Sequence, residues 1–114
     1  MKEACVIGGA GFWGSHVCDQ LSDTGFADHI LDRVSSPWLR PDQTMMVGDL
    51  LDVAALDAAV AGSEVVYNFA AIADLDEALG KPVDTARVNV LGNVEVLEAC
   101  RRHNVRRFVY ASIV

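Results

Sequence analysis

Four glycines crowd the stretch VIGGAGFWGSH at residues 6–16, and an aspartate, Asp32, follows 18 residues after the last of them. Glycines between a strand and a helix permit a tight turn and let the backbone approach a pyrophosphate. The helix N-terminus beyond them offers free N–H groups and a partial positive charge. Two spacings share the stretch: G-x-G-x-x-G through Gly9, Gly11 and Gly14, and G-x-x-G-x-x-G through Gly8, Gly11 and Gly14. Gly14, in the first helical turn, allows helix and strand to pack closely. Taken alone, such a motif also describes a strand-to-helix turn with no ligand, so its weight comes from context. Asp32 supplies that context, because an acid at the end of the second strand can accept hydrogen bonds from both hydroxyls of an adenosine ribose and repels a 2′-phosphate. A solvated strand-end carboxylate is the plainer alternative. Arg33 pulls the other way, since a guanidinium there can stack on adenine or accommodate the extra phosphate of NADP. These residues favour NAD over NADP.

Such residues act together only if strands and helices alternate in the right order. Lys2 to Gly8 reads as a short buried strand that breaks into glycines, and Phe12 to Ser22 reads as a helix with Trp13, Val17, Cys18 and Leu21 at helical spacing, closed by Thr24 and Gly25. HILDRV (29–34) and TMMVGD (44–49) are expected as the second and third strands, with a polar, proline-marked loop between them. LLDVAALDAAVAG follows as an alanine-rich helix with Leu51, Ala55, Leu56, Ala59 and Val60 on one side. SEVVYNFAA (63–71) is β-branched and aromatic, as a strand should be. A short helical piece from Asp74 to Leu79, a long helix from Pro82 to Asn104 and a last strand in VRRFVYASIV complete the chain. Near-continuous apolar strands alternating with helices specify a parallel sheet covered on both faces. The expected fold class is α/β, a doubly wound Rossmann-type sheet of five strands in the order 3-2-1-4-5.

The long helix is apolar on two sides. Val83, Ala86, Val90, Val94 and Leu97 form one face at 100° per residue, while Val88, Val96, Ala99 and Gly92 gather opposite. On the outer layer of a sheet this arrangement favours one face on the sheet and the other on a partner helix, and hence a homodimer through residues 82–104.

Bulk properties narrow the function. The 114 residues are enough for one domain, with 52% hydrophobic and 22% charged residues and no apolar run long enough for a membrane span. The N-terminus carries no export-signal pattern, so a cytoplasmic location is expected. Cys5, Cys18 and Cys100 are odd in number, far apart and without a C-x-x-C pair, which argues for reduced core thiols and no metal site. A net charge of −7 disfavours nucleic acid and anionic membranes as partners.

Taken together, GGAGFWGSH, Asp32, VGDLLD (47–52), YNFAAIAD (67–74), RVNVLGNVEVLEAC (87–100) and RRFVYAS (106–112) resemble the extended short-chain dehydrogenase/reductase family, the NAD-dependent epimerases and dehydratases of nucleotide sugars. The resemblance covers nearly the whole chain. It implies the spacing Gly8, Gly11, Gly14, with Gly9 a permissive extra. It also implies that Phe12 and Trp13 lie beside the pyrophosphate turn, Trp13 being bulkier than usual and fitting helix core as well. Asp49 would contact the adenine amine and Leu50 its apolar face, although Asp49 also suits an N-terminal cap. Phe69, Ala70 and Ala71 would pass behind the ribose and nicotinamide, and Asn89 would lie near the active site or serve as a buried structural amide. Ile7 and Asn68 depart from the threonine and histidine common in the family.

The family's chemistry is transient oxidation of a sugar hydroxyl by NAD, with a tyrosine base whose pKa is lowered by a lysine four residues later. Here Tyr67 is followed at that distance by Ala71 and Tyr110 by Val114, and Ser112 does not match the family's hydroxyl position, so no catalytic residue is assigned. The chain reads as the NAD-binding N-terminal half, residues 1–114, of a longer enzyme whose catalytic and substrate-binding parts lie elsewhere, the edge of the last strand being left open. The alternative is a non-catalytic NAD-binding module, a redox sensor or an interaction subunit.

Overall fold

The computed structural model describes residues 2–71 and 75–111. Strand β1 (Glu3–Ile7) lies at the centre of a parallel sheet of order β3-β2-β1-β4-β5, with β2 Ala27–Asp32, β3 Gln43–Val47, β4 Val65–Asn68 and β5 Arg107–Tyr110. Ile7 pairs with Leu31 on one side and Asn68 on the other, so the tips of the three central strands align at one end of the sheet. The chain reverses its direction of travel across the sheet beside β1, and a crevice opens there because the connections leave toward opposite faces.

The expected order and direction of the strands are those observed. Their central residues are apolar on both sides because both faces are covered. Helix α1 (Phe12–Asp23) places Cys18 and Leu21 against Ala4, Val6, Ile30 and Val65. On the opposite face α2 (Val53–Val60) and α5 (Gly92–Arg102) bring Leu56, Val60, Val96 and Ala99 against Cys5, Ile7, Leu31 and Val66. Two helices end in the same way. Gly25 and Asn104 take positive φ after α1 and α5, and the amides of Phe26 and Val105 return to Leu21 O and Cys100 O, stopping each helix beside an apolar contact.

Several boundaries shift from those expected. β2 begins at Ala27 because Asp28, only 1% exposed, is tolerated inside the strand: the Ser22 hydroxyl donates to its Oδ2 at 2.7 Å. β3 ends at Val47, leaving Gly48 and Asp49 in a turn, and β4 spans only Val65–Asn68. α2 starts at Val53 because the Asp52 side chain accepts the amides of Ala54 and Ala55. Asp52, and not Asp49, is therefore the cap. After α3 (Leu75–Gly80), the long helix expected from Pro82 runs as α4 (Pro82–Ala86), a π-helical segment (Arg87–Leu91) and α5. A π turn inserts extra residues per turn and rotates the faces on either side of it. The expected start at Asp74 and the expected strand residues 112–114 lie outside the described residues. Among the described residues, no helix is long and apolar enough to cross a membrane.

Candidate functional site: a groove at the strand tips

The turn after β1 is shaped by glycines with different duties. Gly8 has φ +79°, and a Cβ there would lie 2.7 Å from Ala70 N. A Cβ on Gly14 would overlap Gly8 O, so helix and turn can touch only through a glycine. Gly9 is no permissive extra: it is buried, and a Cβ would sit 2.7 Å from Ile30 Cγ2. Gly11 differs from these three, because a Cβ there would meet nothing nearer than Gly8 O, at 3.6 Å. Packing within the chain does not require glycine at Gly11, yet Gly11 lines a groove.

That groove, about 430 Å³, runs over the strand tips and is walled by Ile7, Gly8 and Gly11, by Leu31, Asp32, Arg33 and Val34, by Gly48, Asp49 and Leu50, by Phe69, Ala70 and Ala71, and by Val88. Its size suits a small organic ligand. The Asp32 carboxylate accepts the Ala10 amide at 3.0 Å through Oδ2 and the Arg33 amide at 2.7 Å through Oδ1. Each carboxylate oxygen can accept more than one hydrogen bond, which leaves capacity for hydroxyl donors from the groove. Asp49 accepts the Leu51 amide at 3.0 Å. Leu50 is buried against Gly92, where a Cβ would lie 2.7 Å from Leu50 Cδ1. Helix α1 opens at Gly11 with no side-chain cap, leaving its first amides to solvent or to a ligand.

Nine of the expected site residues line this groove: Gly8, Gly11, Asp32, Arg33, Asp49, Leu50, Phe69, Ala70 and Ala71. Gly14 acts from beneath by packing. Phe12 and Trp13 stand outside the lining, and Trp13, 71% exposed, is not helix core. The two rings meet edge to face at 5.3 Å on the outside of α1. Asn89 is half-buried and also off the lining; its carbonyl accepts the Asn93 side chain at 2.8 Å. Val88, expected on one face with Gly92, Val96 and Ala99, lines the groove, while Val96 and Ala99 are buried in the core. Gly48 and Val34 were also missed, although their neighbours Asp49 and Asp32 mark the two turns.

Other ionisable groups stand apart from the groove. Burial pushes the Cys5 and Cys18 thiols up to about 12 and that of Cys100 up to about 11, so none is a thiolate near neutrality. Among the described residues, no cluster of three or more histidine, cysteine or acidic side chains could hold a metal ion.

The sequence model of the NAD dependent epimerase/dehydratase family matches residues 4–113. The chain belongs to this family. Relatives within the NAD dependent epimerase/dehydratase family include the UDP-glucose 4-epimerase of Mus musculus, 30% identical over 98% of this chain and 38% of its own length. The dTDP-glucose 4,6-dehydratase of Mycolicibacterium smegmatis is 37% identical over 89% of this chain and 33% of its own. Among solved structures, UDP-glucose 4-epimerase from Brucella ovis in complex with NAD superposes with a TM-score of 0.89 at 31% identity, over 98% of this chain and 36% of the other. The Thermotoga maritima UDP-glucose 4-epimerase with UDP-glucose superposes at 0.90 and 28% identity, over 96% and 37%. The chain thus spans little more than a third of the family members it matches, and its sheet is the Rossmann-type sheet of those structures.

Proposed function

We propose that the chain binds NAD in the groove and forms the dinucleotide-binding part of a nucleotide-sugar epimerase or dehydratase. The supporting observation is Gly11: glycine stands where the fold itself has room for a side chain, on the wall of a groove that also carries the Asp32 carboxylate. A Cβ at Gly11 would enter only the space a ligand backbone would use. Gly8, Gly11 and the first turn of α1 suit a pyrophosphate, Asp32 suits ribose hydroxyls, and Asp49 and Leu50 suit adenine. Phe69, Ala70, Ala71 and Val88 remain for the nicotinamide half. Bound NAD would supply reversible hydride acceptance from a sugar hydroxyl, and the residues of this chain hold and orient it. Asp32 favours NAD over NADP.

The same reading takes a nucleotide sugar as substrate, a cytoplasmic setting and self-association through the long helix, whose Val83, Val90, Val94 and Leu97 are each at least half exposed. A non-catalytic NAD-binding module is the second reading, and it uses the same groove. Calorimetric titration of NAD and NADP into wild type and Gly11→Leu tests the shared element. Saturable NAD binding that is lost in a folded Gly11→Leu variant is expected, and equal affinity in both proteins would overturn the cofactor assignment.

A further inference from the structure

Behind the groove, three hydrogen bonds run in one direction from the end of β4 to the π-helical segment. The Ala70 amide donates to Asn68 Oδ1 at 3.0 Å, Asn68 Nδ2 donates to Asn93 Oδ1 at 2.8 Å, and Asn93 Nδ2 donates to the Asn89 carbonyl at 2.8 Å. Both ends are backbone groups with fixed roles, an N–H that can only donate and a C=O that can only accept. The orientation of both side-chain amides is therefore dictated by the chain itself. Asn68 is 4% exposed, so its two bonds lie where water does not readily replace a lost partner, while Asn93 and Asn89 are half-buried.

We propose that Asn68 and Asn93 are positioning residues for the dinucleotide. Ala70, held by the first bond, lines the groove and presses on the backbone of Gly8, while the π segment held by the last bond carries Val88 on the same wall. The relay sets how this wall of Ala70 and Val88 stands toward the groove and so the fit of the half of the ligand that lies against it. Asp32, Arg33 and Asp49 also line the groove and make no hydrogen bond to the relay in the described contacts. This inference rests on NAD occupying the groove.

The relay has a chemical signature. In Asn93→Asp, one carboxylate oxygen can accept from Asn68, but the other faces the Asn89 carbonyl and has no hydrogen to offer. Protonation of the new carboxyl restores a donor at that position. The experiment compares NAD and AMP binding in wild type, Asn93→Asp and Asn93→Leu between pH 5 and pH 8, with folding followed by circular dichroism. Wild-type binding of NAD tests the parent reading by itself. Given that binding, the expected result is a loss of NAD affinity of about tenfold or more in both variants at pH 8, the scale of an unsatisfied buried polar group. AMP affinity should stay within about twofold, on the scale of distant, uncoupled sites, and NAD affinity should recover toward pH 5 in Asn93→Asp alone. Equal losses for NAD and AMP, no pH-dependent recovery in Asn93→Asp, or unchanged NAD affinity would each overturn the positioning role.

Discussion

The Asp32 carboxylate, at the tip of β2, holds the backbone N–H of Ala10, in the middle of the glycine turn, at 3.0 Å across 22 positions of chain. Asp32 thus fixes the shape of the turn as well as presenting an acceptor to the groove. Removing it as Asp32→Ala is expected to weaken NAD binding about ten- to a hundredfold, the range for hydrogen bonds to a charged group. The loss should be smaller for NADP, because the variant also removes the charge that opposes a 2′-phosphate. Parallel titrations of the two nucleotides check this, and an unaltered NAD to NADP ratio would remove Asp32 from discrimination.

Gly11 and Gly14 separate binding from folding. Gly14→Ala forces a Cβ into Gly8 O and is expected to destabilise the fold by about 1–3 kcal/mol or more, as overpacking does. Gly11→Ala finds only ordinary contact within the chain, so its melting temperature should match the wild type while NAD affinity drops. Thermal melts beside titrations would show whether the two effects part in this way.

Asp28 makes stability depend on pH. Burial raises its carboxyl above the usual range and the Asp42 charge adds to this, while the Ser22 hydroxyl, His29 and Arg40 oppose it. A folded-state pKa above the unfolded one contributes stability at pH values below the unfolded value, about 3.9, and that contribution is lost as pH rises through the folded value. At pH 7 the buried charge is therefore a burden. Asp28→Asn should melt higher than the wild type at pH 7, with the difference shrinking toward pH 4; a difference independent of pH would contradict the assignment.

The face of the long helix carrying Val90, Val94 and Leu97 is exposed in the single chain. If it joins two copies, sedimentation velocity should give twice the monomer mass for wild type and the monomer mass for Val94→Glu/Leu97→Glu. A wild-type monomer at tens of micromolar would end the dimer proposal.

Much of this fold was legible because buried parallel strands are short apolar runs, and the glycines and Thr24 mark where β1 and α1 stop; β2 stops at Asp32, two residues before the expected Val34. Gly8, Gly11, Asp32 and Arg33 in the groove followed from the residues themselves, and Asp49, Leu50, Phe69, Ala70 and Ala71 from the family resemblance. What escaped depended on distant partners. Asp28 reads as a turn residue until Ser22 is placed beside it, and Gly9 reads as spare until Ile30 packs on it. Asp49 reads as the cap of the following helix, and only the geometry of the turn gives that role to Asp52. Trp13 falls on an apolar helical stripe, yet the close contact of Gly14 with Gly8 turns that stripe so that Trp13 faces solvent. Asn93 gave no signal, because its role exists only once Asn68 and the π segment meet.

The π-helical segment gives the long helix a phase offset that no substitution can reproduce. A π turn takes up about one residue more than an α turn, so removing one residue from Arg87–Leu91 would let ordinary α-helical hydrogen bonding run through while the helices on either side keep nearly the same phase and spacing. Gly92, Val96 and Ala99 could then stay buried, and the change would fall on the segment that carries Val88 to the groove wall and Asn89 to the relay. In this stretch chain length is itself functional information, because one residue can be lost without unseating the helix and yet redraw the groove.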